Sequence, residues 1–284
     1  MLSHLGMSAR PSRRAAVAAA AGAVAAVLAA GCSSGSGLQA PAGLSAARAI
    51  TLAGQQAQRV NSAAYTMNVH VSGAASAAIV GRVQMRLRPS LLMNLNVTSL
   101  TSAGHSVPGG MQEIVTGKTL YLKLATLQRE VGKPWLAIPF AQMQRITGIN
   151  LGQAIQQAQA NNPLVQTQML AVSKNVKVAG TQSIDGVATT EYTGSYPISA
   201  GLARLPAGLR SIAEQQMRQL GITAMTFRVW IDGQHITRKL VAHANGTSEQ
   251  LTVDTQVTSI NRTPTISAPP KGQVATVPSS ALNG

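Results

Sequence analysis

Cysteine is nearly absent from this chain: Cys32 stands alone in 284 residues. A single thiol excludes an intrachain disulfide framework and a cysteine-rich zinc site. Aromatic residues make up only 3%, so Val, Leu, Ile, Met and Ala must fill the core. The stacking platforms that single-strand nucleic-acid binders rely on are correspondingly scarce. Acidic residues number eight against 23 Lys and Arg, which leaves few carboxylates for acid–base pairs. Two of the eight lie in Asp185-Gly186 and Asp232-Gly233, where turn geometry accounts for them. The histidines His4, His70, His105, His235 and His243 are scattered, outside any HExxH, Cys/His ligand or nucleophile-elbow pattern. Catalytic residues, metal ligands and cofactors are therefore not expected. No apolar run reaches the ~20 residues that a membrane-spanning helix needs.

The start of the chain reads as an export signal. Arg10, Arg13 and Arg14 precede an apolar run over 15–30, interrupted only by Gly22. This length and polarity fit a secretory leader. The run ends in Ala29-Ala30-Gly31-Cys32, which resembles a bacterial lipobox, with Ala29 at the place where Leu is usual. The resemblance implies cleavage before Cys32 and acylation of its thiol. The chain then divides into a signal peptide (1–31), an acylated cysteine with a Ser/Gly/Pro tether (32–44), one domain (45–262) and a Pro/Ser/Thr-rich tail (263–284). The expected location is the extracytoplasmic side of the cell membrane, reached through lipidated Cys32. Three of the 23 basic residues and none of the acids fall in the leader, so the remainder carries a net +12. Such a charge attracts polyanions. Export removes nucleic acid as a partner and leaves either anionic lipid head groups and wall polymers as the counter-surface or a charge that serves solubility alone.

Period-two alternation dominates the rest, the pattern of strands with one apolar face. Tyr65, Met67, Val69 and Val71 alternate with Thr66, Asn68 and His70. Val83, Met85 and Leu87 alternate with Arg82, Gln84, Arg86 and Arg88, and Leu91, Met93, Leu95 and Val97 with Asn94, Asn96 and Thr98. Hairpins are expected at Gly117-Lys118, Asp185-Gly186 and Asp232-Gly233. Further strands are expected at 176–181, 187–196, 225–231, 236–245 and 251–260. Ser45 would cap a helix over about 46–60 with Ala49, Leu52, Ala53 and Ala57 on one side. Two more helical stretches are expected over 140–172 and 207–220. The fold class is α+β: a single curved antiparallel sheet of about ten strands, a half-barrel, with helices covering an apolar cavity. So many twisted strands tend to curl, and the concavity suits a small apolar ligand.

Three segments carry a family resemblance. They are Thr119-Leu120-Tyr121-Leu122-Lys123-Leu124 with Lys133-Pro134-Trp135-Leu136-Ala137-Ile138, the run from Asp185-Gly186 through Glu191-Tyr192-Thr193-Gly194, and Phe227-Arg228-Val229-Trp230-Ile231-Asp232-Gly233 followed by Arg238-Lys239-Leu240. In this order behind a lipobox, they resemble the LppX/LprG group of actinobacterial lipoproteins within the LolA/LolB-like superfamily. The resemblance implies a half-barrel with a large apolar cavity that binds a lipid or lipoglycan and moves it across the cell envelope with a transporter partner. It also implies that Tyr121, Trp135, Tyr192 and Trp230 mark the fold. The apolar stripes nominate Met67, Val69, Val83, Met85, Leu87, Met93, Leu95, Leu122, Met225, Phe227 and Val229 as cavity-lining residues. The same stripes suit a side-chain-filled core, hence a non-transporting accessory or sensor lipoprotein. A hydrolase with a dispersed site is the third reading.

Overall fold

Thirteen strands hydrogen-bond into one sheet in the computed structural model, which describes residues 45–73, 76–147, 163–204, 210, 214, 217–218 and 220–276. The expected leader, Cys32 and the expected tether lie outside the described residues, as do 148–162 of the helical stretch expected over 140–172 and most of that over 207–220. The first half of the sheet is a meander of β1 (Ser62–Gly73), β2 (Ala77–Arg86), β3 (Leu92–Ser102), β5 (Met111–Thr116), β6 (Thr119–Leu124) and β7 (Trp135–Pro139), with the short β4 (His105–Ser106) set beside β3. The second is a meander of β8 (Lys177–Ile184), β9 (Val187–Pro197), β10 (Ala224–Asp232), β11 (Thr237–Asn245) and β12 (Glu249–Ile260). Antiparallel pairing of β1 with β12 welds the halves at the centre. The architecture is the α+β curved, half-barrel-like sheet expected from the alternation.

Bulges mark where the ladder bends, at Ala64/Tyr65, Val80/Gly81, Val178/Gly180 and Trp230/Ile231. An extra residue on one strand sharpens the local twist, which helps twelve strands in a row to curl. The turn at Gly117 and the Asp185-Gly186 turn form as expected. Gly117 has φ 61, and Asp185 and Gly186 have φ 49 and 79, the left-handed geometry of tight hairpins.

Three strands escape the alternation pattern: β4, β7 and β13 (Val274–Thr276). The Pro/Ser/Thr-rich stretch from Thr263 contains β13, which joins it to the sheet. The Pro-rich stretch continues to a 3-10 turn at Lys271–Gln273, and β13 then pairs parallel with β7 through Val274–Trp135 and Ala275–Leu136. Lys133 Nζ donates to the Gly272 carbonyl at 2.5 Å, which anchors the strap beside that edge.

Five helices are placed by the described residues: α1 (Ala46–Ala57), α2 (Ala125–Val131), α3 (Phe140–Thr147), α4 (Pro163–Leu170) and α5 (Ile198–Leu202). Ser45 caps α1 as expected, its Oγ accepting from the Arg48 amide at 3.3 Å. The buried side of α1 holds Ala49, Ile50, Ala53 and Ala57, with Ile50 taking the place expected for Leu52. Gly54 lets α1 lie against α4, since a Cβ there would sit 3.3 Å from Gln168 Cα. Both helices pack toward β8–β11, where Thr167 Oγ1 and Thr237 Oγ1 share a buried hydrogen bond at 2.9 Å.

Candidate functional site

The sheet's register places the nominated residues on one face. One row across the sheet runs Val257, Tyr65, Val83, Leu95, Glu113, Leu122, Leu136. A neighbouring row runs Tyr192, Val229, Leu240, Thr255, Met67, Gly81, Val97, Met111. A third joins Met85, Met93, Val115, Leu120 and Ile138. Period-two geometry makes each row the apolar side of every strand it crosses.

All eleven nominated residues are buried in one continuous apolar cluster. Met67 and Val69 come from β1, Val83 and Met85 from β2, Leu87 from just beyond it, and Met93 and Leu95 from β3. Leu122 comes from β6, and Met225, Phe227 and Val229 from β10. Met111 and Tyr196 belong to the same cluster and were not nominated. Tyr196 packs against Phe227 with ring centroids 6.3 Å apart and donates to Met225 Sδ at 3.2 Å. Gly194 makes room for that arrangement, because a Cβ there would come within 2.6 Å of Phe227 Cζ.

Polar groups on this face are few. Thr255 Oγ1 is satisfied by the Leu240 carbonyl at 3.3 Å. Tyr65 and Tyr196 have their phenol pKa values pushed up by burial, so both stay neutral. Glu113 is the residue that the sequence reading missed. It is 7% exposed, it lies between Leu95 and Leu122 in register, and burial pushes its pKa up to about 7. No hydrogen bond or ion pair reaches its carboxyl from the described residues. The signal was present in the sequence: Met111, Glu113 and Val115 alternate with Gln112 and Ile114, which puts an acid in phase with an apolar stripe.

The opposite face is polar and carries the ionic network. Arg228 Nε bonds Glu191 Oε1 at 2.7 Å, and Lys239 Nζ bonds Asp254 Oδ2 at 2.9 Å. Trp230 lies between these cations, with the Arg228 guanidinium 5.0 Å and the Lys239 ammonium 5.7 Å from its ring. The β8–β9 hairpin reaches back across this row, because Gln256 Nε2 donates to both Asp185 carboxylate oxygens at 2.9 Å. Arg82 and Lys123 project from the same face opposite Asn96 and Gln112, with no acid across from them in register. Asp232 Oδ1 accepts from the Gln234 and Ile236 amides, and its Oδ2 meets Arg238 at 2.7 Å, so it serves the β10–β11 turn. Among the described residues no cluster of three or more His, Cys, Asp or Glu could hold a metal ion. No described helix is long and apolar enough to cross a membrane.

No family model matches the chain. Over 104 residues it is 25% identical to an uncharacterised 31.2 kDa protein from the rplA–rplJ intergenic region of Streptomyces griseus; the match spans 36% of this chain and only 34% of that protein. Two solved structures are similar in fold. LprF from Mycobacterium bovis aligns with a TM-score of 0.47 at 14% identity, over 79% of this chain and 96% of its own. The lipoprotein LppX from Mycobacterium tuberculosis aligns with a TM-score of 0.42 at 16% identity, over 77% of this chain and 98% of its own.

Proposed function

We propose that this chain is an exported lipoprotein, held on the extracytoplasmic side of the cell membrane by acylated Cys32, that takes up acyl chains of a lipid or lipoglycan. It carries them between the membrane and the outer envelope. The observation that carries this reading is the single, largely apolar face that runs through the register rows of both meanders, with a polar face on the other side. A soluble domain needs only enough apolar surface to fold. A sheet of this width with one apolar face also suits a long hydrocarbon chain lying across its strands.

The chemistry required is transfer and no bond need be made or broken. An acyl chain leaving a bilayer for the apolar face exchanges one hydrocarbon environment for another. The ~0.8 kcal/mol per methylene therefore cancels on loading but opposes escape into water. Met67, Met85, Met93 and Met225 suit such a surface, because an unbranched thioether repacks around different chain lengths. The cations of the opposite face, Arg82 and Lys123 among them, would meet anionic head groups at the membrane. Handover to a transporter partner at the far side completes the cycle.

One observation favours the accessory or sensor reading: the nominated residues are at most 9% exposed, as in a core filled by its own side chains. Native mass spectrometry of the purified protein and uptake of a fluorescent acyl probe decide between the two. A carrier co-purifies with lipid and takes up the probe, and Met85→Trp lowers uptake severalfold while the circular dichroism spectrum is kept. Absence of both lipid and uptake leaves the accessory reading.

A further inference from the structure

Glu113 is out of place on a face built for hydrocarbon. A carrier of hydrocarbon needs no carboxyl on its apolar face, and folding gains nothing from one there. Burying an ionisable group without a partner is unfavourable. Glu113 is nevertheless 93% buried, on a strand where either neighbour on that face, Met111 or Val115, is apolar. In register it faces Leu95 on β3 and Leu122 on β6. The next side chains along the row are Val83 and Leu136, and the first titratable group on it is Tyr65, three strands away. At about 4.8 Å per strand that is roughly 14 Å along the sheet, too far for a direct hydrogen bond. The basic residues nearest in sequence, Lys118 and Lys123, do not reach it. Lys118 is in the β5–β6 turn, and Lys123 pairs with Gln112 on the polar face. Among the described residues nothing neutralises this carboxyl.

We infer that Glu113 is the polar anchor of the apolar face, accepting a hydrogen bond from the hydroxyl of a neutral acyl lipid and turning away lipids whose phosphate would have to enter beside it. This inference rests on the lipid-binding reading above and names the chemistry of the cargo. A hydroxyl brings the donor that an ionised carboxylate lacks here, and a charge-assisted hydrogen bond in an apolar setting is among the stronger ones. A phosphate at the same place would set two like charges together in a medium of low polarity. The anionic part of any charged cargo would then stay outside, toward the cations of the opposite face, while a glycerol or sugar hydroxyl reaches Glu113. With its pKa raised to about 7 by burial, the carboxyl is charged at pH 8 and neutral at pH 5, so the discrimination is strongest on the alkaline side.

The test is displacement of a fluorescent acyl probe from the purified full chain by two soluble competitors with the same acyl chains, dioctanoylglycerol and dioctanoyl phosphatidate. At pH 8 the wild-type chain should prefer the glycerol lipid by roughly tenfold, the equivalent of one hydrogen bond to a charged group. At pH 5 the preference should narrow. Glu113→Gln keeps a hydrogen-bonding group without the charge, so it should still take the glycerol lipid and should admit the phosphatidate at both pH values. Glu113→Leu should lose the preference by weakening the glycerol lipid. A probe that fails to bind even the wild type overturns the lipid-binding reading itself. A probe that binds, with equal displacement by both competitors or a preference unchanged in Glu113→Gln, overturns the anchor alone.

Discussion

At the scale of the residue, one carboxyl makes stability depend on pH. Glu113 has its pKa raised from 4.5 to about 7 by burial among Met111, Val115, Leu95 and Leu122. The folded chain thus holds a proton that the unfolded chain has released, over the window between those two values. Stability is greatest below the lower value and falls as pH rises toward the upper one. Above that value both states are ionised and the slope disappears. A shift of this size corresponds to about 3 kcal/mol. Urea midpoints measured across the window should fall with pH for the wild type, and Glu113→Gln should flatten that part of the profile. Parallel curves for the two proteins would show that the carboxyl is hydrated in the folded state. The remaining charged pairs behave differently. Arg228–Glu191 and Lys239–Asp254 sit on the polar face with partly exposed side chains, where such pairs contribute little to stability.

At the scale of the element, most of the sheet was legible because alternation is local. Val83, Met85 and Leu87 against Arg82, Gln84 and Arg86 specify a face without reference to the rest of the chain, and the structure puts them on that face. What alternation cannot show is pairing between distant segments, and the misses follow from that. β7 is short and buried on both sides, with Trp135, Leu136, Ala137 and Ile138 in succession, so it has no period-two signature. β13 has three residues behind a run of prolines, and only the nearby edge of β7 makes it a strand. Glu113 was overlooked for the opposite reason: its phase was plain, but an acid in an apolar stripe reads as an interruption until cross-strand neighbours are known. The strap from Thr263 has a measurable role. Ending the chain at Arg262 should bare the β7 edge and its Trp135, and lower stability by about 2 kcal/mol through the lost ladder bonds and apolar burial. In a Trp230→Phe background the emission of Trp135 should shift to the red, and scattering should rise on concentration because an open edge invites pairing between chains. Unchanged emission and an unchanged urea midpoint would make the strap dispensable.

At the scale of the whole molecule, the division into an apolar and a polar face meets the imbalance of charge. From residue 32 onward, twenty basic residues face eight acids, and the acids of the polar face are largely engaged: Glu191 with Arg228, Asp254 with Lys239, Asp185 with Gln256. Arg82 and Lys123 stand in register with amides instead. A net +12 would then add a second attachment to anionic membranes beside the acyl chains proposed on Cys32. The two attachments answer to different variables, since salt screens one and leaves the other. Each Lys or Arg near such a surface contributes about 1 kcal/mol at moderate ionic strength, and this fades as the Debye length falls to about 3 Å in 1 M salt. Acyl anchoring adds ~0.8 kcal/mol per buried methylene and is indifferent to salt. A chain starting at residue 32 with Cys32→Ala should therefore bind phosphatidylglycerol-containing vesicles in low salt, release them as salt rises, and ignore phosphatidylcholine vesicles throughout. The acylated wild type should stay bound to both. If the unacylated chain binds neither vesicle at low salt, its positive charge has no part in holding the apolar face near a membrane, and the anchor alone must do so.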